Sequence, residues 1–280
     1  GGRCVRMKHD NTLTFRAGQP VVENTFDALS PKLSATFKLL PDDVSTDINL
    51  YGQYSQAFLP PRRPSGLRPG DDEINLNPED IDNYEFGLKG SLFDGEIAFE
   101  GTYFYMTRNG IVHNVRQGPF FIPTNAGEHE YKGVELGATW TATSQLTVYA
   151  NGAFYRNRFG DFVIESAGGD TDLTGNRLSI APDRVINGGV VITPVPAFNI
   201  RVDVKHVGDV MVDQGNTFEF DPYTLLDAAV SWFVGPTRIT LSAHNLFNEE
   251  YYWNGDISRA ESADPGAPRQ ILLTTSFSFR

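Results

Sequence analysis

Cysteine is almost missing from this sequence. Cys4 is the single cysteine among 280 residues. One thiol cannot form a disulfide within the chain, and it cannot build a thiolate metal centre by itself. A disulfide-stabilised fold and a cysteine-based metal site are therefore excluded for this sequence.

Long hydrophobic runs are missing as well. No apolar segment approaches the roughly 18 residues that a membrane-spanning helix needs, and the mean hydropathy is -0.29. These observations exclude a helical membrane protein. They leave a transmembrane β-barrel open, because lipid-facing and lumen-facing residues alternate along its strands and cancel in a hydropathy average.

Positive charge is scarce. There are 23 lysines and arginines against 35 aspartates and glutamates, which gives a net charge of -12 at pH 7. Nucleic acid is not an expected partner, because binding to its phosphates needs a basic surface. The first residues, Gly1 to Arg6, lack the apolar core of an export signal. We therefore expect the sequence to begin at a cut end.

Motifs for catalysis are absent too. No nucleophilic residue and general base occur at the spacing of a known catalytic motif, and there is no glycine-rich loop that would hold a phosphate. The five histidines are scattered, and the group Glu128-His129-Glu130 lies at the predicted end of a loop. The sequence therefore predicts no enzyme, no metal site and no cofactor.

What the sequence does contain is alternation with a period of two, most clearly at the end of the chain. From Arg269 to Arg280 successive residues point to opposite faces of a strand, and one of these faces is polar. The strand is about as long as a tilted membrane crossing requires. Its other face carries Ile271, Leu273, Thr275, Phe277 and Phe279.

The same length and alternation recur along the whole chain, and we predict about twelve strands. Short turns such as Asp94-Gly95 join the strands at one end, and longer loops join them at the other. The predicted strands cover residues 11–17, 32–39, 47–58, 81–93, 96–108, 134–140, 146–154, 186–192, 198–205, 223–234, 238–247 and 269–280. The predicted outward loops cover residues 18–31, 59–80, 109–129, 158–183, 209–221 and 248–268.

Sorting of loops by length is typical of outer-membrane barrels, which have short periplasmic turns and longer extracellular loops. We therefore predict an all-β fold, an antiparallel transmembrane β-barrel formed by residues 1–280. A soluble β-sandwich is the alternative, but sandwich strands are usually shorter. Aromatic residues near strand ends are expected to form the interfacial girdles. These are Tyr51, Tyr105, Trp140, Tyr155, Tyr223 and Trp232.

The segment Asn245-Leu-Phe-Asn-Glu-Glu-Tyr251, followed by Pro265-Gly-Ala-Pro-Arg269 and an aromatic strand, resembles the C-terminal signature of TonB-dependent outer-membrane receptors. These motifs are expected to build the barrel rather than to contact a ligand. Gly266, for example, is expected to supply backbone angles closed to other residues. Supporting segments of the same resemblance are Tyr54–Phe58, Pro78–Lys89, Asn125–Gly127, Tyr131–Glu135 and Leu173–Leu178.

The resemblance implies a barrel of about twenty-two strands with an N-terminal plug domain. This chain would be the C-terminal portion of that barrel, without the plug. The family ends on an aromatic residue, whereas here Arg280 follows Phe279. Its members lie in the outer membrane of Gram-negative bacteria and take up a scarce ligand, most often a ferric siderophore and otherwise haem, cobalamin or a glycan. The TonB complex supplies the energy through the plug.

Two groups of loop residues are candidate ligand contacts under this resemblance. Arg62, Arg63 and Arg68 are the cationic feature of an otherwise acidic protein and would suit an anionic ferric siderophore. They would equally suit solvent or the phosphates of lipopolysaccharide. Phe120 and Phe121 would stack on a ligand, or pack against a neighbouring loop.

Two other functions stay open from the residues. One is a self-contained twelve-stranded channel, or an outer-membrane enzyme of similar size. The other is a soluble carbohydrate-binding β protein. Upstream sequence would separate the first from a receptor, since a plug domain indicates a receptor. Ligand identity depends on loop tips and on the plug, so these residues do not define it.

Overall fold

The computed structural model describes residues 2–13, 22–40, 45–60, 76–117, 120–125, 127–164, 169–256 and 262–278. Within these ranges the chain consists of β-strands, turns and loops. None of the described residues belongs to a helix long and apolar enough to cross a membrane.

The described residues form twenty strands. In chain order they are β1 (Gly2–Leu13), β2 (Val22–Lys38), β3 (Thr46–Leu59), β4 (Glu79–Leu92), β5 (Ile97–Asn109), β6 (Val112–Gln117), β7 (Phe120–Asn125), β8 (Glu128–Thr143), β9 (Leu146–Phe159), β10 (Val163–Ile164), β11 (Thr171–Asp172), β12 (Arg184–Val195), β13 (Phe198–Val207), β14 (Val210–Met211), β15 (Glu219–Phe220), β16 (Tyr223–Val234), β17 (Thr237–His244), β18 (Tyr252–Asp256), β19 (Ser262–Pro265) and β20 (Gln270–Phe277).

Twelve of these strands form one antiparallel sheet in the order β1-β2-β3-β4-β5-β8-β9-β12-β13-β16-β17-β20. Each strand pairs with the next wall strand along the chain, as in an up-and-down barrel wall. In the part of the chain that the structure describes, β1 and β20 each have one hydrogen-bonded neighbour. The sheet is therefore open at these two edges.

The predicted number of wall strands is confirmed, but the start of the chain was predicted wrongly. The first strand spans Gly2–Leu13 rather than residues 11–17, and the next begins at Val22 rather than at Lys32. Residues 22–31, predicted as an outward loop, pair with β1. Pro31 suggested the end of a loop, yet it lies within β2. The segments 2–13 and 22–31 form strands because they pair with each other, although neither shows a sustained apolar alternation. Residues 14–17 lie outside the described ranges.

One face of the sheet carries continuous apolar rows. The register aligns Trp140, Val148, Val190, Val202, Ala228, Ala243 and Ile271 across seven successive strands. Large side chains on this face are exposed: Leu241 is 53% and Leu273 is 73% accessible. Exposed apolar surface of this extent marks a face that meets lipid or another apolar partner. A sandwich, in which these rows would be buried against a second sheet, does not fit.

The opposite face of the sheet is polar. It carries cross-strand hydrogen bonds such as that of Asn187 Nδ2 to Asn151 Oδ1 at 2.9 Å. The rows of the two faces alternate along each strand, as predicted from the sequence. The sheet thus separates an apolar surface from a hydrophilic one.

Three of the six predicted girdle aromatics lie on this polar face, so the prediction was wrong for them. Tyr51 hydrogen-bonds Thr102 Oγ1 at 2.6 Å, and the Tyr155 hydroxyl donates to Glu135. Tyr223 lies on the face of β16 that also carries Asp227. The other three lie on the apolar face. Trp140 aligns with Ile97 and Trp232 with Phe198, and Tyr105 is on the same face of β5 as Phe99 and Tyr103.

Candidate functional site

The long connections gather at one end of the sheet and contain small hairpins. The connections between β5 and β8, β9 and β12, β13 and β16, and β17 and β20 carry the hairpins β6–β7, β10–β11, β14–β15 and β18–β19. The turns at the other end are short, for example at residues 144–145 and 235–236. The predicted sorting of loops by end is confirmed, apart from the segment 22–31.

The sequence-predicted contact residues fall into two groups in the structure. Arg62, Arg63 and Arg68 lie outside the described residues. Phe120 and Phe121 lie in β7, where they pair with Gln117 and Arg116 of β6. These phenylalanines therefore belong to the second strand of the hairpin β6–β7. Their role in ligand contact stays a prediction, as does that of the arginines.

Two neighbouring outer connections are locked together through Arg177. Its guanidinium forms an ion pair with the Asp209 carboxylate and donates to the Asp209 carbonyl oxygen at 2.9 Å. Its backbone N–H donates to Asn216 Oδ1 at 2.6 Å, and Asn216 Nδ2 donates back to the Arg177 carbonyl at 2.9 Å. The hydrogen bond from Arg177 holds the pKa of Asp209 below its ordinary value, against a smaller opposing effect of partial burial.

A small apolar core stabilises the same connection from beneath. Phe159, Phe162, Leu173 and Leu178 are buried against one another. The rings of Phe159 and Phe162 lie 4.8 Å apart, and His129 packs edge-on against Phe159 at 5.0 Å. His129 thus contributes to packing at the predicted loop end. Among the described residues no group of three or more His, Cys, Asp and Glu side chains is placed to hold a metal ion.

Asn245 anchors the last outer connection. It is only 4% accessible and adopts a positive φ of 49°. Its side-chain amide donates to the carbonyl oxygens of Glu249 at 2.9 Å and Ala267 at 3.1 Å, and its Oδ1 accepts from Glu249 N–H at 2.8 Å. Asn245 therefore joins the start of the connection to its end, as expected for a motif that builds the barrel.

Gly266 is required for space and not for its backbone angles. It is not among the glycines with positive φ, so that part of the sequence prediction was wrong. A side chain at position 266 would overlap the ring of Tyr251. The Tyr251 ring in turn stacks on Tyr223 with centroids 4.2 Å apart. The glycine of the Pro-Gly-Ala-Pro segment thus leaves room for the stacked pair of Tyr251 and Tyr223.

A cavity of about 840 Å³ lies between the hairpins β14–β15 and β18–β19 and the outer end of β16. Five aromatic residues line it: Phe218, Phe220, Tyr223, Tyr251 and Tyr252. Their rings form two sets, one of Phe218, Phe220 and Tyr252 and the other of Tyr223 and Tyr251. Phe220 stacks on Tyr252 at 5.6 Å and meets the edge of Phe218 at 6.0 Å. Phe218 and Tyr252 are each 52% accessible, so their faces are available to a ligand.

The cavity is acidic. Glu219, Asp221, Glu249 and Glu250 line it, and no lysine, arginine or histidine does so among the described residues. An aromatic cavity with four carboxylates and no described cation favours a ligand that is neutral or positively charged.

The position of Phe218 is fixed by Asp213. One oxygen of this carboxylate accepts from the Phe218 N–H at 2.8 Å and from the Thr217 N–H at 2.9 Å. Burial opposes ionisation of Asp213, but the hydrogen bonds from Phe218 and Thr217 outweigh it and lower the pKa of this group. The wall of the cavity is therefore built by charged hydrogen bonding within the loop.

Sequence reasoning missed these cavity residues. The available signal was the clustering of aromatics as Phe218-Glu-Phe220 and Tyr251-Tyr-Trp253 in two separate loops. The two clusters are more than thirty residues apart along the chain. Only the wall pairing of β16 with β17 and the anchoring by Asn245 bring them together.

Comparison with known protein families agrees with this architecture. The family described as TonB dependent receptor-like, beta-barrel matches residues 1–248. The chain belongs to the TonB-dependent receptor β-barrel family. This membership explains an up-and-down sheet with short turns at one end and structured loops at the other.

Individual relatives of this TonB-dependent receptor chain are distant in sequence. The ferrioxamine receptor of Yersinia enterocolitica is 23% identical over 295 residues, covering 99% of this chain and 37% of the relative. The pesticin receptor of Yersinia enterocolitica serotype O:8 / biotype 1B is 28% identical over 285 residues, covering 93% of this chain and 39% of the relative. The chain therefore spans less than half of the length of these receptors.

Solved structures share the fold. The siderophore receptor PiuA from Acinetobacter baumannii superposes with a TM-score of 0.77 at 19% identity, covering 99% of this chain and 40% of PiuA. The ferric yersiniabactin uptake receptor FyuA from Yersinia pestis superposes with a TM-score of 0.73 at 22% identity, covering 93% of this chain and 39% of FyuA. At these identities the likeness concerns the fold.

Proposed function

We propose that this chain is the C-terminal part of the barrel of an outer-membrane receptor of a Gram-negative bacterium, which takes up a ferric siderophore with energy from the TonB complex. The observation that carries the proposal is the family match combined with a wall whose apolar rows are exposed and whose other face is polar. The role is transport, without covalent chemistry. The TonB complex would act through a plug domain encoded elsewhere in the receptor.

The open edges of the sheet support a larger barrel. In lipid every backbone N–H and C=O must be paired, since an unpaired group costs several kcal/mol. Strands β1 and β20 each have one unpaired side among the described residues. Further strands of the same receptor would pair with both edges and close the wall. The lengths of the relatives leave room for such strands and for a plug.

A ferric siderophore is the proposed ligand class because of what the relatives bind. One relative is named a ferrioxamine receptor, and another is the ferrichrome outer membrane transporter/phage receptor of Escherichia coli, 24% identical over 240 residues. Such a ligand is too large and too scarce for passive diffusion through a narrow pore. The interlocked outer connections offer a surface that would capture it before transport.

Deletion of the gene in its host tests this proposal. Cells are grown with a chelator that removes free iron, and single ferric siderophores are then supplied. We expect the deletion strain to lose growth on at least one siderophore, and the gene supplied in trans to restore it only when TonB is functional. Excess soluble iron serves as the control, because it should support all strains equally. Unchanged growth on every siderophore, or restoration without TonB, would contradict the proposal.

A further inference from the structure

We infer that the cavity between β14–β15 and β18–β19 binds the ligand directly and selects a neutral or cationic ferric complex over an anionic one. The inference rests on the proposed function and adds the charge class of its substrate. It opposes the expectation from Arg62, Arg63 and Arg68, which pointed to an anionic ligand.

The size and place of the cavity suit such a ligand. Its volume of about 840 Å³ falls within the range of roughly 300–1,000 Å³ that small-molecule sites occupy. It lies at the end of the sheet that carries the long connections, on the outer side in the proposed orientation. A ferric complex arriving from outside would therefore reach the cavity before it reaches the interior of the barrel.

Aromatic faces supply the contact surface. Phe218 and Tyr252 are half exposed, while Phe220 between them is buried and supports both rings. Aromatic faces attract cations and bury apolar surface without selecting a fixed hydrogen-bond pattern. A ferric hydroxamate with methylene spacers offers that kind of surface, and a protonated amine on it would add a cation–π contact.

Charge decides between ligand classes. Four acidic residues, Glu219, Asp221, Glu249 and Glu250, line the cavity. In a wet, screened site a unit charge on the ligand interacts weakly with each of several such groups, and these interactions add. With all four acidic residues acting together, an anionic complex should bind about tenfold more weakly than a cationic one, or weaker still.

The walls are fixed before any ligand arrives. Asp213 holds Phe218, and Asn245 holds the chain at Glu249. Arg177 and Asn216 tie the β14–β15 connection to its neighbour. A preformed site avoids the entropy cost of ordering loops on binding. The charge preference should therefore appear in binding itself, before any transport step.

The experiment uses a matched series of probes on the receptor as its gene encodes it. A linear ferric trihydroxamate with a free amine is cationic, its N-acetyl derivative is neutral, and its N-succinyl derivative is anionic. Binding of each radio-iron complex is measured on de-energised cells, which separates binding from uptake. The charge variants are Glu219→Gln with Asp221→Asn, and Glu249→Gln with Glu250→Gln. Asp161→Asn with Asp170→Asn is the matched control, because these carboxylates are exposed outer-loop groups that do not line the cavity.

We expect the cationic probe to bind about tenfold more tightly than the anionic probe, and each charge variant to reduce that ratio by at least about threefold. The control pair should leave the ratio unchanged. Tyr252→Ala should weaken all probes, and the cationic probe at least as much as the others, whereas Trp253→Ala, exposed beside it but outside the cavity, should not. Surface amounts of every variant are compared by immunoblot, so that a folding defect is not read as lost affinity.

Two results would overturn the inference while leaving the proposed function intact. One is binding of the anionic probe that equals or exceeds binding of the cationic probe. If no member of the probe series binds, tight binding of an anionic siderophore from the growth panel has the same meaning. The other is a charge preference that the four carboxamides do not alter. Failure of every ferric siderophore to bind or support growth would instead remove the proposed function, and the inference with it.

Discussion

The ring of Tyr149 lies over Gly189 on the neighbouring strand. The two residues are direct partners in the register of β9 and β12, and a Cβ at position 189 would come within 2.5 Å of Tyr149 Cζ. From this position the Tyr149 hydroxyl reaches Asp203 on β13, and Arg201 Nη2 donates to the same hydroxyl at 2.8 Å. A glycine on the polar face thus allows one aromatic side chain to connect three strands.

The same arrangement recurs at the other side of the wall. The ring of Tyr51 lies over Gly87, its direct partner, and the Tyr51 hydroxyl reaches Thr102 one strand further. Glycine on a strand leaves a gap in the side-chain layer, and a neighbouring aromatic residue fills it. We therefore regard these pairs as structural supports of the polar face.

Gly189→Ala should destabilise the barrel by about 1–3 kcal/mol, because the new methyl group displaces the Tyr149 ring and its hydrogen bonds. Gly188→Ala is the matched control. Position 188 lies on the apolar face, where a Cβ meets its nearest neighbour, the Tyr149 carbonyl oxygen, at 3.4 Å. Urea unfolding of both variants in detergent checks the difference. Equal stability of the two would show that the aromatic support is unimportant.

Asn245→Ala should lower stability by about 2–4 kcal/mol, because several backbone groups of Glu249 and Ala267 lose their buried partner. The unfolding midpoint in urea is the measurement. Asn254→Ala is the control, since Asn254 makes one exposed hydrogen bond to Asp264 and should change stability by no more than about 0.5 kcal/mol. A result in which both variants behave like the unsubstituted protein would contradict the anchoring role.

The Arg177–Asp209 pair should make stability depend on pH below the neutral range. The pKa of Asp209 is lowered by Arg177 from an ordinary value of 3.8. The ionised Asp209 therefore stabilises the folded protein fully above pH 3.8, where this carboxyl is also ionised in the unfolded chain. This stabilisation is lost as the pH falls through the lower pKa that Asp209 has in the folded protein. Asp209→Asn should cost about 1–3 kcal/mol near pH 7.

The difference between the unsubstituted protein and Asp209→Asn should shrink as the pH falls below 3.8. Unfolding curves for both proteins at several pH values between neutrality and pH about 3 provide the measurement. Asp170→Asn, at an exposed carboxylate of a neighbouring connection, should show no such trend. A difference that stays constant with pH would assign the effect of the substitution to packing instead of charge.

The strands could be predicted from sequence because alternation is a local property. The segment from Ile200 to Lys205, for example, alternates aliphatic and charged residues, and it lies in β13. Strand β1 shows that pattern only briefly, where Val5 and Met7 alternate with Arg6 and Lys8, and the residues from His9 to Thr12 are polar on both faces; pairing with β2 extends the strand through them. Local periodicity therefore identifies a wall strand only where its two faces differ strongly in polarity.

The aromatic girdle and the cavity show where such prediction ends. A tyrosine that lies over a glycine inside a polar face and a tyrosine at a lipid interface have the same chemistry, an apolar ring with a hydroxyl group. Tyr51 and Tyr155 were therefore placed on the wrong face. The cavity joins residues near 220 and 251 through anchors such as Asn245, and no repeated pattern in the sequence records that contact.

The central claim is that the apolar rows face acyl chains while the alternate rows face water. Leu241 and Ser242 are adjacent on β17 and point to opposite faces, with Leu241 53% accessible on the apolar side. An arginine at mid-membrane on the lipid side costs about 2–4 kcal/mol, whereas the polar side tolerates it.

The most direct test is the amount of folded, heat-modifiable receptor in outer membranes of cells that express Leu241→Arg or Ser242→Arg. We expect Leu241→Arg to reduce this amount strongly and Ser242→Arg to leave it near that of the unsubstituted protein. Equal amounts for the two variants, or a loss confined to Ser242→Arg, would contradict the assignment of the faces and with it the barrel.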